Sequence, residues 1–306
     1  MEPILRRRLK VGDPLSRVLI PLTLGLTRKA MLRTGVFSSE RRLAGMPVHF
    51  YIASARRRTR ERMPVVLLHG IADNALTWAF TIHGMSRIGP VYALDLPGFG
   101  QSAYPPQRRY ATIAEHVEVV ADLIRTVAGR PALVVGNSMG GWIAARLAEL
   151  HPELVRGIVL LDPGGAMLTG YEAWEPFVRT VQVPDLATVR RIYRQMFGHV
   201  PLALYLGQHS FQDMFLRDSV QHFIAAATVD DFFTAEDLRK IAVPTALVWG
   251  ERDHFLPAGS FEFFRDHLTN PAVLTLPGCG HLPQRERPLQ VVRFTRQFAE
   301  DLLRQP

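Results

Sequence analysis

The pentapeptide Gly136-Asn137-Ser138-Met139-Gly140 constrains this chain more than any other feature. An apolar run at 132–135 leads into it, and a helix-like stretch at 140–150 leads out. A strand that turns straight into a helix makes so tight a turn that small residues are needed at both glycines. The turn forces the serine between them into a strained backbone conformation with its Oγ exposed. The helix N-terminus behind that serine presents free N–H groups to any negative charge that develops there. The motif therefore predicts a layered α/β chain with an exposed serine at the end of a strand.

The rest of the sequence keeps that rhythm. Short apolar runs at 65–68, 91–94, 132–135, 158–161, 245–249 and 272–276 alternate with longer helix-like stretches, among them 111–127, 140–150 and 289–303. Near-continuous apolar strands separated by helices predict a mostly parallel sheet covered on both faces. Residues 36–52 read as a hairpin that turns at Ala44-Gly45, followed by a charged loop at 56–62. The rhythm breaks between 164 and 240, which lacks a strand signal and holds eleven of the 28 aromatic residues. These residues predict a helical insertion between two strands.

Charge divides the chain. Residues 1–62 carry 15 Arg and Lys against 4 acids, a net of +11, and residues 63–306 carry 21 against 24, a net of −3. The formal +8 of the whole chain is thus no basic face on its body, and nucleic acid is not expected as a partner. In the first 35 residues Arg6, Arg7, Arg8 and Lys10 precede a short apolar stretch. There Leu15, Val18, Leu19, Leu22 and Leu26 share one helical face, with Pro21 and Gly25 expected to weaken or kink it. A basic amphipathic segment of this kind predicts either peripheral membrane contact through residues 1–34 on an otherwise cytoplasmic chain, or a tail packed loosely on the body. As an export signal it is poorly formed, because Asp13 interrupts it and no small-residue cleavage site follows Leu26. No apolar run reaches the ~18 residues a membrane span needs. The lone Cys279 excludes an intrachain disulfide and a four-thiolate zinc site.

A serine needs a base to become a useful nucleophile. His281, in Gly278-Cys279-Gly280-His281-Leu282-Pro283 just after the last strand, can swing over the edge of the sheet where the serine turn lies. An imidazole in that role needs an acid to fix its tautomer. Asp253, after the strand at 245–249, gives the chain order Ser, Asp, His. Asp162 competes, since it also follows a strand directly. Negative charge on a reacting oxygen needs two donors: the N–H of Met139, and the N–H of Ile71 in the loop after the first parallel strand. His69 at the start of that loop is expected to brace it by hydrogen bonding. Every one of these residues lies beyond 34, so the N-terminal segment is expected to be separable from the chemistry.

Five ordered blocks carry a resemblance to the α/β-hydrolase superfamily. They are His69-Gly70, Asp95-Leu96-Pro97-Gly98-Phe99-Gly100-Gln101-Ser102, the serine turn, Gly250 to Asp253, and Gly280-His281. The resemblance covers about residues 36–303 and is greatest to serine carboxylesterases and monoacylglycerol-type lipases. It implies an α/β-hydrolase fold: a mostly parallel central sheet flanked by helices, with a helical cap inserted after the sixth strand. The core would be 36–163 and 241–306, the cap 164–240, and 1–35 the N-terminal segment. The D-x-P-G-x-G-x-S block is structural in that family. Epoxide hydrolases and haloalkane dehalogenases are similar too, but they use a carboxylate where Ser138 stands.

The expected function is hydrolysis of a small-molecule carboxylic ester, with an apolar acyl or alkyl group, through an acyl-enzyme. Ser138 would be the nucleophile, His281 the base, Asp253 its orienting acid, and Ile71 and Met139 the oxyanion donors, with no metal or organic cofactor. Two alternatives stand beside it: a carbon–carbon bond hydrolase or lactonase with the same residues, and a ligand receptor or scaffold on a hydrolase fold.

Overall fold

The computed structural model describes residues 14–55, 62–105, 107–168 and 174–304. Arg6, Arg7, Arg8 and Lys10, most of the charged loop at 56–62, and Tyr171 lie outside the described residues.

Eight strands form one sheet: β1 (Val36–Leu43), β2 (Met46–Ala53), β3 (Val65–Leu68), β4 (Val91–Leu94), β5 (Ala132–Asn137), β6 (Val155–Leu161), β7 (Thr245–Gly250) and β8 (Ala272–Leu276). Their order across the sheet is β1-β2-β4-β3-β5-β6-β7-β8. The hairpin β1–β2 is antiparallel and joins β4 antiparallel, while every pair from β4 to β8 is parallel. Successive side chains of β3 enter opposite cores. Val66 and Leu68 join Val117, Ile143 and Leu147 on one face, and Val65 and Leu67 join Trp78, Ile82 and Met85 on the other. A strand buried on both faces has no polar side to alternate, so its sequence reads as a continuous apolar run.

The helices are α1 (Pro14–Arg33), α2 (Ile82–Met85), α3 (Ile113–Leu123), α4 (Met139–Leu150), α5 (Glu175–Val181), α6 (Leu186–Met196), α7 (Leu202–Leu206), α8 (Gln208–Phe215), α9 (Asp218–Ala226), α10 (Ala235–Lys240), α11 (Ser260–His267), α12 (Pro283–Glu286) and α13 (Pro288–Arg304). Six of them, α5 to α10, lie between β6 and β7. Local chemistry sets several starts. Thr112 and Glu115 form a reciprocal capping box on α3, and Asp185 caps α6 by accepting from Thr188 N–H.

The N-terminal helix α1 runs from Pro14 to Arg33 with Pro21 inside it. The segment packs on the body. Met31 is buried, Ile20 packs against Gly207, and Arg17 lies 3.7 Å from Asp213 of α8. Packing along this inner face offsets the backbone hydrogen bond that a mid-helix proline forgoes.

The Asp95 block is a structural knot. The Asp95 carboxylate accepts from Ala75 N–H at 2.7 Å, Gln101 N–H at 3.0 Å and His49 Nδ1–H at 2.8 Å. Burial would raise its pKa, but these donors and the neighbouring His69 hold it below the ordinary carboxylate value. The knot fixes the loop after β4 beside the loop after β3, which borders the serine.

Candidate active site

Ser138 sits between β5 and α4 with φ 55° and ψ −117°. Few residues tolerate that region, and the surroundings over-determine it. Ser138 N–H donates to Leu161 O of β6, and Ser138 O accepts from Trp142 N–H and Gly164 N–H, each at 3.0 Å. A Cβ on Gly136 would strike the carbonyl of Gly140, and one on Gly140 the carbonyl of Leu68. Gly140→Ala should therefore cost about 1–3 kcal/mol or more of folding stability through overpacking against backbone. Gly25→Ala, on an open face of α1 with nothing within 4 Å, should be neutral or slightly stabilising. Urea midpoints of the two variants against the parent check the contrast.

His281 is buried on the loop between β8 and α12. Its Nδ1–H donates to Asp253 Oδ2 at 2.7 Å, which leaves Nε2 free of a proton to accept one. Asp253 follows β7, and its Oδ1 accepts from Phe255 N–H at 2.8 Å and Leu256 N–H at 3.3 Å. The Phe255 ring covers the imidazole, with centroids 4.9 Å apart. The acid on His281 is thus Asp253 rather than Asp162.

Asp162 is nonetheless close by. Asp162, Asp253 and His281 offer donor atoms within 4.8 Å of one another, the one group among the described residues with the makings of a cation site. Two features argue for proton sharing instead. Asp162 Oδ1 accepts from Gly250 N–H at 3.0 Å, but its buried Oδ2 faces the Asp253 carboxylate with no N–H or O–H donor. Burial, followed by the charge of Asp253, pushes the Asp162 carboxyl well above its ordinary range. Asp162 then holds its proton and donates it towards Asp253.

Three residues that the sequence reading passed over hold His281 in place. Asn137 Nδ2 donates to His281 O at 3.0 Å, and Gln284 Nε2 donates to Asn137 Oδ1 at 3.0 Å. Glu286 accepts from Gly198 N–H at 3.0 Å and Gly280 N–H at 3.1 Å, clamping the histidine loop against the end of α6. His281 N–H itself donates to Met196 O at 2.7 Å. Asn137 and Gln284 are fully buried amides in apolar surroundings, a combination that signals a hydrogen-bonding duty. Burial pushes the Cys279 thiol up, so it stays protonated and is no rival nucleophile.

The loop after β3 borders the serine, since a Cβ on Gly70 would lie 3.2 Å from Ser138 Cβ. His69 braces that loop, donating from Nδ1 to Gly70 O at 2.7 Å and accepting at Nε2 from Leu96 N–H at 3.0 Å. Both of its ring nitrogens are engaged away from Ser138. Ile71 lines the pocket over the serine, and Met139 follows Ser138 as the first residue of α4.

Ser138 and His281 open into one cavity of about 130 Å³. Its walls are mostly apolar: Phe197, Phe211, Met214 and Phe215 from the region between β6 and β7, and Phe255 and Leu282 from the loops after β7 and β8. Trp174, Phe177 and Phe232 instead pack on one another as core. Part of the wall comes from the loop after β3, through Ile71, Asp73 and Asn74, and part from α1, through Ile20, Thr23 and Leu24. The N-terminal segment is therefore part of the site, contrary to the expectation that it is separable.

Epoxide hydrolase 3 of Xenopus tropicalis is 25% identical over 284 residues, 84% of this chain and 76% of the relative. A 2-hydroxy-6-oxo-6-(2'-aminophenyl)hexa-2,4-dienoic acid hydrolase of Metapseudomonas resinovorans is 27% identical over 254 residues, 77% of this chain and 83% of the relative. The crystal structure of a bacterial membrane phospholipase A superposes with a TM-score of 0.76 at 25% identity, over 94% of this chain and 97% of that one. The family model that matches spans residues 65–294, from the first residue of β3 past the loops that carry Asp253 and His281. The chain belongs to the alpha/beta hydrolase family.

Proposed function

We propose that this hydrolase cleaves carboxylic esters with an apolar acyl or alkyl group through a serine acyl-enzyme. The observation that carries the reading is the His281 Nδ1–Asp253 Oδ2 hydrogen bond, made beside a strained serine in one apolar pocket. His281 Nε2 takes the Ser138 proton as Oγ attacks the ester carbonyl. The N–H groups of Met139 and Ile71 receive the oxyanion. His281 then protonates the leaving alcohol and later activates water, while Asp253 holds the imidazole and stabilises its charged form. Epoxide opening in the resembling enzymes runs through a carboxylate nucleophile, and Ser138 stands in that place here. A carbon–carbon hydrolase would use the same residues, and the 27% identical relative keeps that reading alive.

The pocket sets an expectation for chain length. A cavity of about 130 Å³ is close to the ~150 Å³ apolar cavity that accepts benzene, so it suits a group of about six carbons. Each buried methylene contributes up to about 0.8 kcal/mol to binding. On p-nitrophenyl esters, kcat/KM should climb from acetate to about hexanoate and then level off or fall. A profile that peaks at acetate would mean that the aromatic wall does not contact the acyl chain. Turnover of a dienoic ketone substrate in preference to every ester would move the assignment to the carbon–carbon class.

A further inference from the structure

We infer that the outer face of α1, together with α7, docks on an anionic lipid bilayer and passes substrate from that surface into the pocket whose wall α1 forms. The inference rests on the ester-hydrolase reading for what is passed, and on the two faces of one helix for how.

Val18, Leu22 and Leu26 follow one another at intervals of four residues, and Lys29 and Arg33 continue the same face three and seven residues beyond Leu26. The three apolar side chains are each more than half exposed, and both cations are exposed. Ile20, Leu24 and Met31 run along the opposite face, where the first two line the catalytic pocket and the third is buried in the body. The helix thus has an inner face committed to the site and an outer face that carries leucines and cations together. Its neighbour α7 touches it where Ile20 meets Gly207, and exposes Leu202 at 82% and Leu206 at 62%. Leu204 of the same short helix turns inward to the pocket. Two adjoining helices therefore each show apolar side chains outward while lining the cavity inward.

The charge selects the occupant. Residues Pro14–Arg33 contain four cations and no acid, inside a 62-residue stretch of net +11. An anionic surface satisfies the cations while the leucines enter the boundary between headgroups and acyl chains. A second copy packed face to face would bury Lys29 and Arg33 against a helix with no acid to pair them. The segment lies on the bilayer rather than through it: no described helix is long and apolar enough to cross, and the inner face of α1 is already packed.

The test uses the full chain. The variants Leu22→Ser/Leu26→Ser and Lys29→Glu/Arg33→Glu change only the outer face. Partition is read by co-sedimentation with phosphatidylcholine vesicles, with and without phosphatidylglycerol. Turnover is read on soluble p-nitrophenyl butyrate and on an ester lipid embedded in the same vesicles. The parent should favour the anionic vesicles, and each variant should lose at least about tenfold in partition. Vesicle-borne turnover should fall in step, while soluble-ester turnover stays within about twofold. Equal partition of parent and variants would overturn the docking face. Lost partition with unchanged vesicle-borne turnover would overturn the delivery of substrate. A variant that turns a dimer into a monomer by sedimentation velocity, with vesicle partition unchanged, would assign the face to a second copy instead. Vesicle partition as expected with no ester turned over by the parent would sink the ester reading and leave the docking face standing.

Discussion

Replacing Ser138 with alanine is expected to lower kcat for ester hydrolysis by roughly four to six orders of magnitude while leaving the fold intact. The size of the loss follows from the division of labour. In the proposed mechanism His281 moves one proton and Asp253 balances the charge that results, and without Oγ there is no nucleophile to deprotonate. What remains is the oxyanion pair and the pocket, which together speed attack by water only weakly. The fold should survive because alanine keeps the Cβ that already occupies the strained turn. The contacts that impose φ 55° there are backbone ones, from Leu161 O, Trp142 N–H and Gly164 N–H. A urea midpoint close to that of the parent separates lost chemistry from lost structure. A serine-directed phosphonate should label the parent at Ser138 and leave the alanine variant unlabelled. Activity near that of the parent in a folded variant would remove the serine mechanism altogether.

What the sequence discloses and what it hides divide along a physical line. Strands β3 and β4 occur at the runs read from periodicity, because a strand buried between two helical layers can be nothing but apolar. The serine turn was legible for a similar reason, since its glycines answer a steric demand that no other residue meets. The acid was harder. Asp162 and Asp253 both end parallel strands, β6 and β7, which are neighbours in the sheet, so the topology delivers both carboxyls to one place. Sequence order can rank them, but it cannot reveal that they share a site. The supports of His281 were hidden differently. Asn137 and Gln284 are 147 positions apart and meet only once the sheet and α12 are assembled. The double life of α1 was hidden most completely. The periodicity singles out Val18, Leu22 and Leu26, which the fold leaves exposed, while the pocket wall is made by Ile20, Thr23 and Leu24 away from that stripe.

The second large effect concerns those two carboxyls. Asp253→Asn should lower kcat by about 10⁴, whereas Asp162→Asn should stay within about tenfold of the parent. An amide at 253 can offer an N–H to His281 in place of the accepting oxygen, which favours the wrong tautomer, and it cannot balance the imidazolium. An amide at 162 replaces a group that is already neutral. Its carbonyl can keep the bond from Gly250 N–H, and its NH₂ can donate towards Asp253 as the protonated carboxyl does. Stability reports the same assignment independently of activity. In the unfolded chain Asp162 releases its proton near 3.8, but in the folded chain burial and Asp253 make it hold that proton to a much higher pH. Above 3.8 the folded state therefore binds one proton more than the unfolded state. This term weakens folding as pH rises, from the ordinary carboxylate value up to the raised one. The Asn variant has no such proton, so its urea midpoint should gain on that of the parent between pH 5 and pH 8. Should Asp162→Asn instead cost as much activity as Asp253→Asn, with no change in the pH dependence of stability, Asp162 would be ionised. The charge on His281 would then be balanced by the pair and not by Asp253 alone.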